Sequence, residues 1–140
     1  MPGTRPAVVT KIADAMKSVA EKYPGDDTVL TLYAESVMDT QAWDYWEAGG
    51  AKPKGRAGDL LAALEKVLAR NPNHPGAIHL YIHAMEASTK PERALEPARR
   101  LAALMPSAGH IVHMPAHIYM RTGRYGDAIA ANERSIAADA

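Results

Sequence analysis

The stretch RTGRYGDAIAANERSIAAD, residues 121–139, is the part of the chain that decides the fold. Its apolar residues recur at helical spacing, with Ile129 and Ile136 two turns apart, and Gly123 stands just before the run. Apolar residues that recur with a period near 3.6 indicate an amphipathic helix, and a glycine at its border is typical of a turn. This stretch therefore predicts a helix over 125–138 that begins after a tight turn.

The rest of the chain follows the same pattern. Proline and glycine divide it into pieces of helix length, and no alternation typical of a strand competes with the helical spacing. The predicted helices, about seven in number, cover residues 7–22, 27–39, 57–70, 76–88, 91–104, 110–122 and 125–138. We therefore expect an all-α fold.

A fixed interval connects these helices. Pro72, Pro106 and Ala140 are evenly spaced, and Ala94 and Ala128 are separated by the same interval. This interval, about 34 residues, indicates stacked helix pairs, and we call it the repeat step. The expected organisation is a single domain over 1–140 with roughly three and a half repeats. Its parts are an orphan helix over 7–22, a repeat over 27–74 with an insertion over 40–56, and repeats over 75–108 and 109–140.

The repeat resembles a known family. The length of the repeat step, the stretch quoted first, Ala116, Tyr119 and Ala128 are similar to the tetratricopeptide consensus, and Ala94 and Pro106 match it one unit earlier. The resemblance implies a right-handed solenoid of antiparallel helices in which the first helix of each unit lines a concave groove. The segments HLYIHAMEAS, GHIVHMPAHIYMRTGRY and WDYW also resemble a group of bacterial tetratricopeptide proteins, which implies the fold and no particular activity.

Histidines repeat in register with this interval. His113 lies one repeat step after His79, and His117 lies one repeat step after His83. A spacing of four residues puts both imidazoles of a pair on one face of a helix, one turn apart, as in helical two-histidine metal sites. Stacked repeats would bring the pairs side by side, so these four residues are the predicted metal ligands.

The resemblance adds further residues to the groove. The family positions that face a ligand fall on the paired histidines and on further residues with metal-binding side chains. These additional candidate ligands are Glu35, Glu86, His110 and Met120. Arg121 and Glu35 are expected to line the groove. The opposing interpretation is that duplication copied a structural histidine pair that binds no metal.

The ligand types narrow the choice of metal. The chain has no cysteine, which removes thiolate sites and disulfides. Imidazole suits transition metals, so the expected cofactor is a Zn, Cu or Ni ion. Pro115 lies between His113 and His117, and a proline within a helix removes a backbone donor. We expect it to kink this helix or to mark its first turn.

Both tryptophans lie in the insertion. A buried tryptophan contributes a large apolar area, so Trp43 and Trp46 are expected either to hold the insertion against the repeats or to cover one end of the groove.

Three functions fit this pattern. The first is a binding module that coordinates a transition metal, the second is a scaffold that binds a peptide or protein partner, and the third is a metal-dependent enzyme domain. No serine stands in a nucleophile elbow and no catalytic residue is assigned, so an enzyme is the less favoured class.

Charge and hydropathy restrict the partners. Lys plus Arg and Asp plus Glu are equal at 16 each, which does not favour nucleic acid or an anionic membrane. No apolar run has the length of a membrane span and no signal peptide is seen, so a cytoplasmic location is the default expectation. Because solenoid ends need polar caps, the apolar Ile129 and Ile136 of the last predicted helix indicate either a fragment of a longer array or self-association through the terminal helices.

Overall fold

A computed structural model of the protein describes residues 4–140, and over this range the regular structure is helical. The helices are α1 (Thr4–Lys22), α2 (Asp27–Thr40), α3 (Ala57–Arg70), α4 (Pro75–Met85), α5 (Leu95–Leu104), α6 (Gly109–His113), α7 (Pro115–Arg121) and α8 (Tyr125–Ala138). A 3₁₀ helix, Pro91–Ala94, leads into α5. The all-α prediction is confirmed for the described residues.

Helix boundaries recur at the repeat step. The second helices of the three units begin at Ala57, Pro91 and Tyr125, and each start lies one repeat step after the one before. Their last residues, Arg70, Leu104 and Ala138, keep the same interval. The first helices of the last two units begin at Pro75 and Gly109, which are again one repeat step apart. The repeat step is thus a property of the backbone as well as of the residue types.

Capping residues explain where two helices start. The Asp26 side chain accepts a hydrogen bond from the backbone N–H of Val29 at 3.0 Å, which caps the N-terminus of α2. In the same way Nδ1 of His74 accepts from the N–H of Ala77 at 3.1 Å, and Pro75 follows as the first residue of α4. His74 is therefore a capping residue of α4.

The core lies between successive helices. Each helix packs against the next one along the chain, and α4 also contacts α2 and α7. The largest fully buried side chains come mainly from these contacts; they are Val37, Leu60, Leu64, Val67, Ile78, Ile82, Met85, Leu101, Met114, Pro115 and Ile118. Because α4 is surrounded by other helices on most sides, its two histidines, His79 and His83, lie along one remaining face.

The predicted helix over 110–122 is divided in two. Helix α6 ends at His113 and α7 begins with Pro115, which is fully buried. Proline has no N–H, so it cannot donate the hydrogen bond that would continue the helix toward Ile111. Met114 keeps a helical conformation with φ −50° and ψ −39°. The chain direction is nearly preserved, so His117 faces the end of α4 and His113 stays in contact with His117.

The insertion between α2 and α3 is attached to the end of α4. Nε1 of Trp46 donates a hydrogen bond to the carbonyl oxygen of Ala84 at 2.6 Å. The carbonyl of Gly50 accepts from the N–H of Thr89 at 2.8 Å. Gly50 has φ +72°, and a Cβ there would lie 2.7 Å from the carbonyl oxygen of Ala87. Only glycine fits this close approach without a shift of the backbone.

Helix α4 ends at Met85, three residues before the predicted end. The chain turns there because the Ser88 hydroxyl donates to the carbonyl of Met85.

Within residues 4–140, none of the helices is both long and apolar enough to cross a membrane. Ile129 and Ile136 of α8 are largely exposed, and the predicted self-association stays a prediction.

Candidate metal centre

Three histidines from two repeats meet at one point. Nε2 of His79 lies 3.2 Å from Nε2 of His83 and 3.1 Å from Nε2 of His110. The three candidate ligand atoms all lie within 4.8 Å of one another. We call these residues the histidine trio. Two nitrogens bound to one tetrahedral ion at the usual bond lengths lie roughly 3.3 Å apart. The trio is therefore close enough to hold a metal ion.

The other two predicted ligands form a separate contact. Nε2 of His113 lies 3.1 Å from Nε2 of His117, and we call these two residues the histidine pair. The pair adjoins the trio, since the ring centroids of His83 and His117 are 5.7 Å apart. The prediction grouped the pair of each helix into one set of four, with His110 as an additional candidate. The structure places His110 with His79 and His83.

Glu86 connects the trio and the pair. It follows the last residue of α4, and its Oε2 accepts a hydrogen bond from Nδ1 of His117 at 2.7 Å. Its Oε1 lies 3.8 Å from Nδ1 of His83, a buried nitrogen that has no hydrogen-bond partner among the described residues. Carboxylates that bind the outer nitrogen of a histidine orient the ring toward a metal. Glu86 thus stands in the position of an outer carboxylate to both groups.

The protonation of these groups follows from their surroundings. Burial raises the pKa of the Glu86 carboxyl, but the hydrogen bond from His117 and the proximity of His83 outweigh burial and lower this pKa to about 2. The same hydrogen bond, which His117 donates to Glu86, raises the pKa of His117 above the ordinary imidazole value, against the effect of burial. Glu86 is therefore a carboxylate whose negative charge faces His117.

His79 and His110 of the trio have the opposite tendency. Burial, followed by the repulsion of the neighbouring His83, His110 and His117, lowers the pKa of His79 to about 4. Burial and nearby imidazoles also lower the pKa of His110. These two rings are neutral near pH 7, and a neutral imidazole is the form that binds a metal ion.

Asn132 orients one ring of the pair. Its Oδ1 lies 2.7 Å from Nδ1 of His113, at a distance suited to a hydrogen bond that His113 donates. Asn132 lies on α8, 19 residues further along the chain than His113. The sequence does not predict this role of Asn132, because no motif or spacing connects an asparagine on the second helix of a unit to the histidines on the first.

The two tryptophans have different roles. Trp46 is half-buried and holds the insertion on α4 through the Ala84 carbonyl. Trp43 is 64% exposed, and its ring meets His83 edge to face with centroids 4.9 Å apart. Its backbone has φ +64°, which is unusual for a residue with a side chain. Trp46 attaches the insertion and Trp43 covers one side of the trio.

The remaining predicted groove residues surround the cluster. Glu35 lines a cleft of about 200 Å³ together with Trp43 and His83. Met120 is exposed and lines a cavity next to His113 and His117. Arg121 lines the same cavity, but its guanidinium donates to the backbone carbonyls of Glu86 at 2.7 Å and Ser88 at 3.3 Å. Arg121 therefore caps the C-terminal end of α4.

Comparison with protein-family models, with curated proteins and with solved structures finds no match to this chain. Its function is inferred from its own residues. Three imidazoles lie close enough to hold a metal ion, and two further imidazoles, one carboxylate and two clefts adjoin them.

Proposed function

We propose that the protein is a tetratricopeptide-type binding module whose groove holds a transition metal ion on His79, His83 and His110. The convergence of three Nε2 atoms from two repeats is the observation that carries this proposal. A neutral imidazole nitrogen has either one hydrogen or one lone pair, so Nε2 of His79 can form a full hydrogen bond with only one of its two imidazole neighbours. A metal ion satisfies all three nitrogens at once.

The repeat architecture is supported by the helix boundaries. The repeat step relates the helices of successive units, and every helix packs against its neighbour in the chain. In such an array the first helices of the units, here α2, α4 and α6 with α7, line one side. The trio lies between two of these helices, which is the groove of the proposed solenoid.

The ligand set favours a particular class of ion. Three nitrogen donors and no thiolate suit Zn, Cu or Ni better than hard cations such as Ca. Three protein ligands also leave one position of a tetrahedral ion open, as in sites where the metal binds a further ligand. A substrate can also bind at an open coordination position, so a metal-dependent enzyme is an extension of this proposal.

A peptide or protein partner is the second candidate function. The exposed ring of Trp43 and the cleft that it shares with Glu35 and His83 favour it, because exposed aromatic rings beside a cleft are common in binding surfaces. Arg121, which was predicted to line the groove, supports this function less. Its guanidinium already donates to the backbone carbonyls of Glu86 and Ser88. This function would not depend on a metal.

Metal analysis separates these two functions. Protein without an affinity tag should contain metal or take up Zn²⁺, Cu²⁺ or Ni²⁺ by calorimetry, and its Tm should rise with the added ion. The variant His79→Gln plus His110→Gln should lose this binding, because one ligand of the trio remains. His74→Asn is the matched control, since it removes a histidine at the start of α4 and asparagine also caps a helix.

Two outcomes would contradict the proposal. One is wild-type protein that is free of metal and whose Tm does not respond to any of the three ions. The other is metal binding that is lost equally in His74→Asn and in the trio variant. In the first case binding of peptides by metal-free protein becomes the leading function.

A further inference from the structure

The histidine pair has the geometry of a second chelate. Its two Nε2 atoms are 3.1 Å apart, close to the roughly 3.3 Å expected for two nitrogens on one tetrahedral ion. The rings meet nearly at right angles, with an interplanar angle of 77°, and their centroids are 4.9 Å apart. His79 and His83 in the trio show the same Nε2 contact and the same centroid separation. The pair therefore repeats the chelating geometry of the trio one unit further along the chain.

Both outer nitrogens of the pair are occupied. Nδ1 of His113 faces Oδ1 of Asn132, and Nδ1 of His117 faces the Glu86 carboxylate, each at 2.7 Å. In the neutral rings these acceptors favour a proton on Nδ1, which leaves the Nε2 lone pairs of both rings available. A single cation can then bind both nitrogens. Outer contacts of this kind are typical of metal-binding histidines.

Space is present beside the pair for the remaining ligands of an ion. A cavity of about 310 Å³ adjoins it, and its lining residues are Glu86, His113, Ala116, His117, Met120, Arg121 and Asn132. Two protein nitrogens would leave two positions of a tetrahedral ion for water or a small anionic ligand. The thioether of Met120 is a further donor, and it suits a copper ion.

We infer that the groove is a two-ion centre, in which His113 and His117 hold a second transition metal ion beside the ion of the trio. This inference rests on the metal-binding function proposed for the trio. Glu86 is the charged group that makes the arrangement favourable, because its carboxylate faces His83 of one site and His117 of the other. A shared negative charge reduces the repulsion between two neighbouring cations.

Stoichiometry tests the inference. Wild-type protein titrated with Zn²⁺ in a calorimeter, with metal content measured after dialysis, should bind two ions per chain. The variant His113→Gln plus His117→Gln should bind one, and the control His74→Asn should bind two. One ion in the wild type that the pair variant retains would overturn the second site and leave the proposed function standing. One ion that is lost in both the pair variant and the trio variant would indicate a single five-histidine site and would also overturn it.

A measurement on the wild-type protein tests the inference even where the variants do not fold. Zn²⁺ added stepwise to ¹⁵N-labelled protein should shift the Nε2 resonances of His79, His83 and His110 in the first step. Those of His113 and His117 should shift in a second step, because two protein ligands bind more weakly than three. Simultaneous shifts of all five resonances that are complete at one equivalent would contradict two sites. Unchanged resonances throughout would remove the proposed function as well.

Discussion

Helix α4 and the interrupted α6 with α7 occupy equivalent places in successive repeats, yet their histidines differ. His79 and His83 stand on a continuous helix, whereas His113 and His117 stand on either side of the break before Pro115. The pKa of His79 is lowered to about 4, while the pKa of His117 on the following unit is raised. The sequence repeat places the histidines on equivalent faces of the two units, whereas the groups around each ring set its pKa.

A single carboxylate raises the pKa of His117, whereas burial is the main cause of the lowered pKa of His79. Glu86 of one repeat stands where the next repeat has Met120, one repeat step later, so only one acidic group serves both sets of histidines. It accepts at 2.7 Å from His117, whereas its contact with His83 is 3.8 Å. The site therefore depends on positions at which the two units differ, such as Glu86 and Met120, and an exact repeat would not form it.

Removal of the Glu86 charge should have the largest effect. In Glu86→Gln the amide keeps the shape of the side chain but loses the charge that orients His117 and His83. We expect metal affinity to fall roughly 10–100-fold, the range typical of an outer-shell partner. Calorimetric titration with Zn²⁺ measures this, and Glu133→Gln on the exposed side of α8 is the matched control. Equal affinity in the two variants would show that Glu86 does not support the site.

The protonation of the metal-free protein gives the second prediction. In an NMR titration of the histidine rings, His79 should titrate near pH 4 and His117 above the usual value of about 6.5. At pH 5.5, His79 is thus neutral and His117 is charged. In Glu86→Gln the pKa of His117 should fall, because its hydrogen-bonded carboxylate is gone. Coincident titration of the two rings would contradict the difference between the two helices.

These shifts have opposite consequences for stability. The folded pKa of His79 lies below its unfolded value, so the unfolded chain takes up a proton first and His79 destabilises the fold as the pH falls from about 6.5 to 4. His117 has a raised folded pKa, so its contribution is present below about 6.5 and is lost as the pH rises through that folded value. Chemical unfolding of wild type and His79→Gln across this range separates the two contributions, since the variant should lose less stability on acidification.

A third prediction concerns the insertion, which covers α4 and has no counterpart over α6 and α7. Trp46→Phe removes the hydrogen bond from Nε1 to the Ala84 carbonyl while it keeps an aromatic ring. We expect the free energy of unfolding to fall by about 1 kcal/mol, the net value of a typical hydrogen bond. Urea denaturation measures the change, with Trp43→Phe as the control. Equal stability of the two variants would mean that Trp46 does not hold the insertion in place.

The smallest effect is expected for Trp43 itself. Its ring is 64% exposed, so Trp43→Phe should change metal affinity by no more than about twofold, as for other surface substitutions. Because the ring meets His83 edge to face, Zn²⁺ binding should alter its fluorescence. That signal should persist in Trp46→Phe and disappear in Trp43→Phe. Persistence in Trp43→Phe would place the responding tryptophan elsewhere.

The candidate site was predicted from the sequence only in part. The spacing of His79 with His83 and of His113 with His117 predicted two pairs that share a helix face, and the structure confirms this facing within each pair. The joining of His110 to the first pair was not singled out. His110 lies one helical turn before His113, so its spacing alone assigns it to the pair and not to the trio.

The helices, the repeat step and the helix face of each histidine follow from the order of the residues alone. These properties depend on local backbone geometry, in which a spacing of four residues always returns to the same side of a helix. The packing of the helices is needed to bring His110 to His79 and His83, to place Glu86 and Asn132 at the outer nitrogens, and to lay Trp43 over His83. Distances between helices depend on how the buried side chains of both helices fill the space between them, which no local pattern encodes.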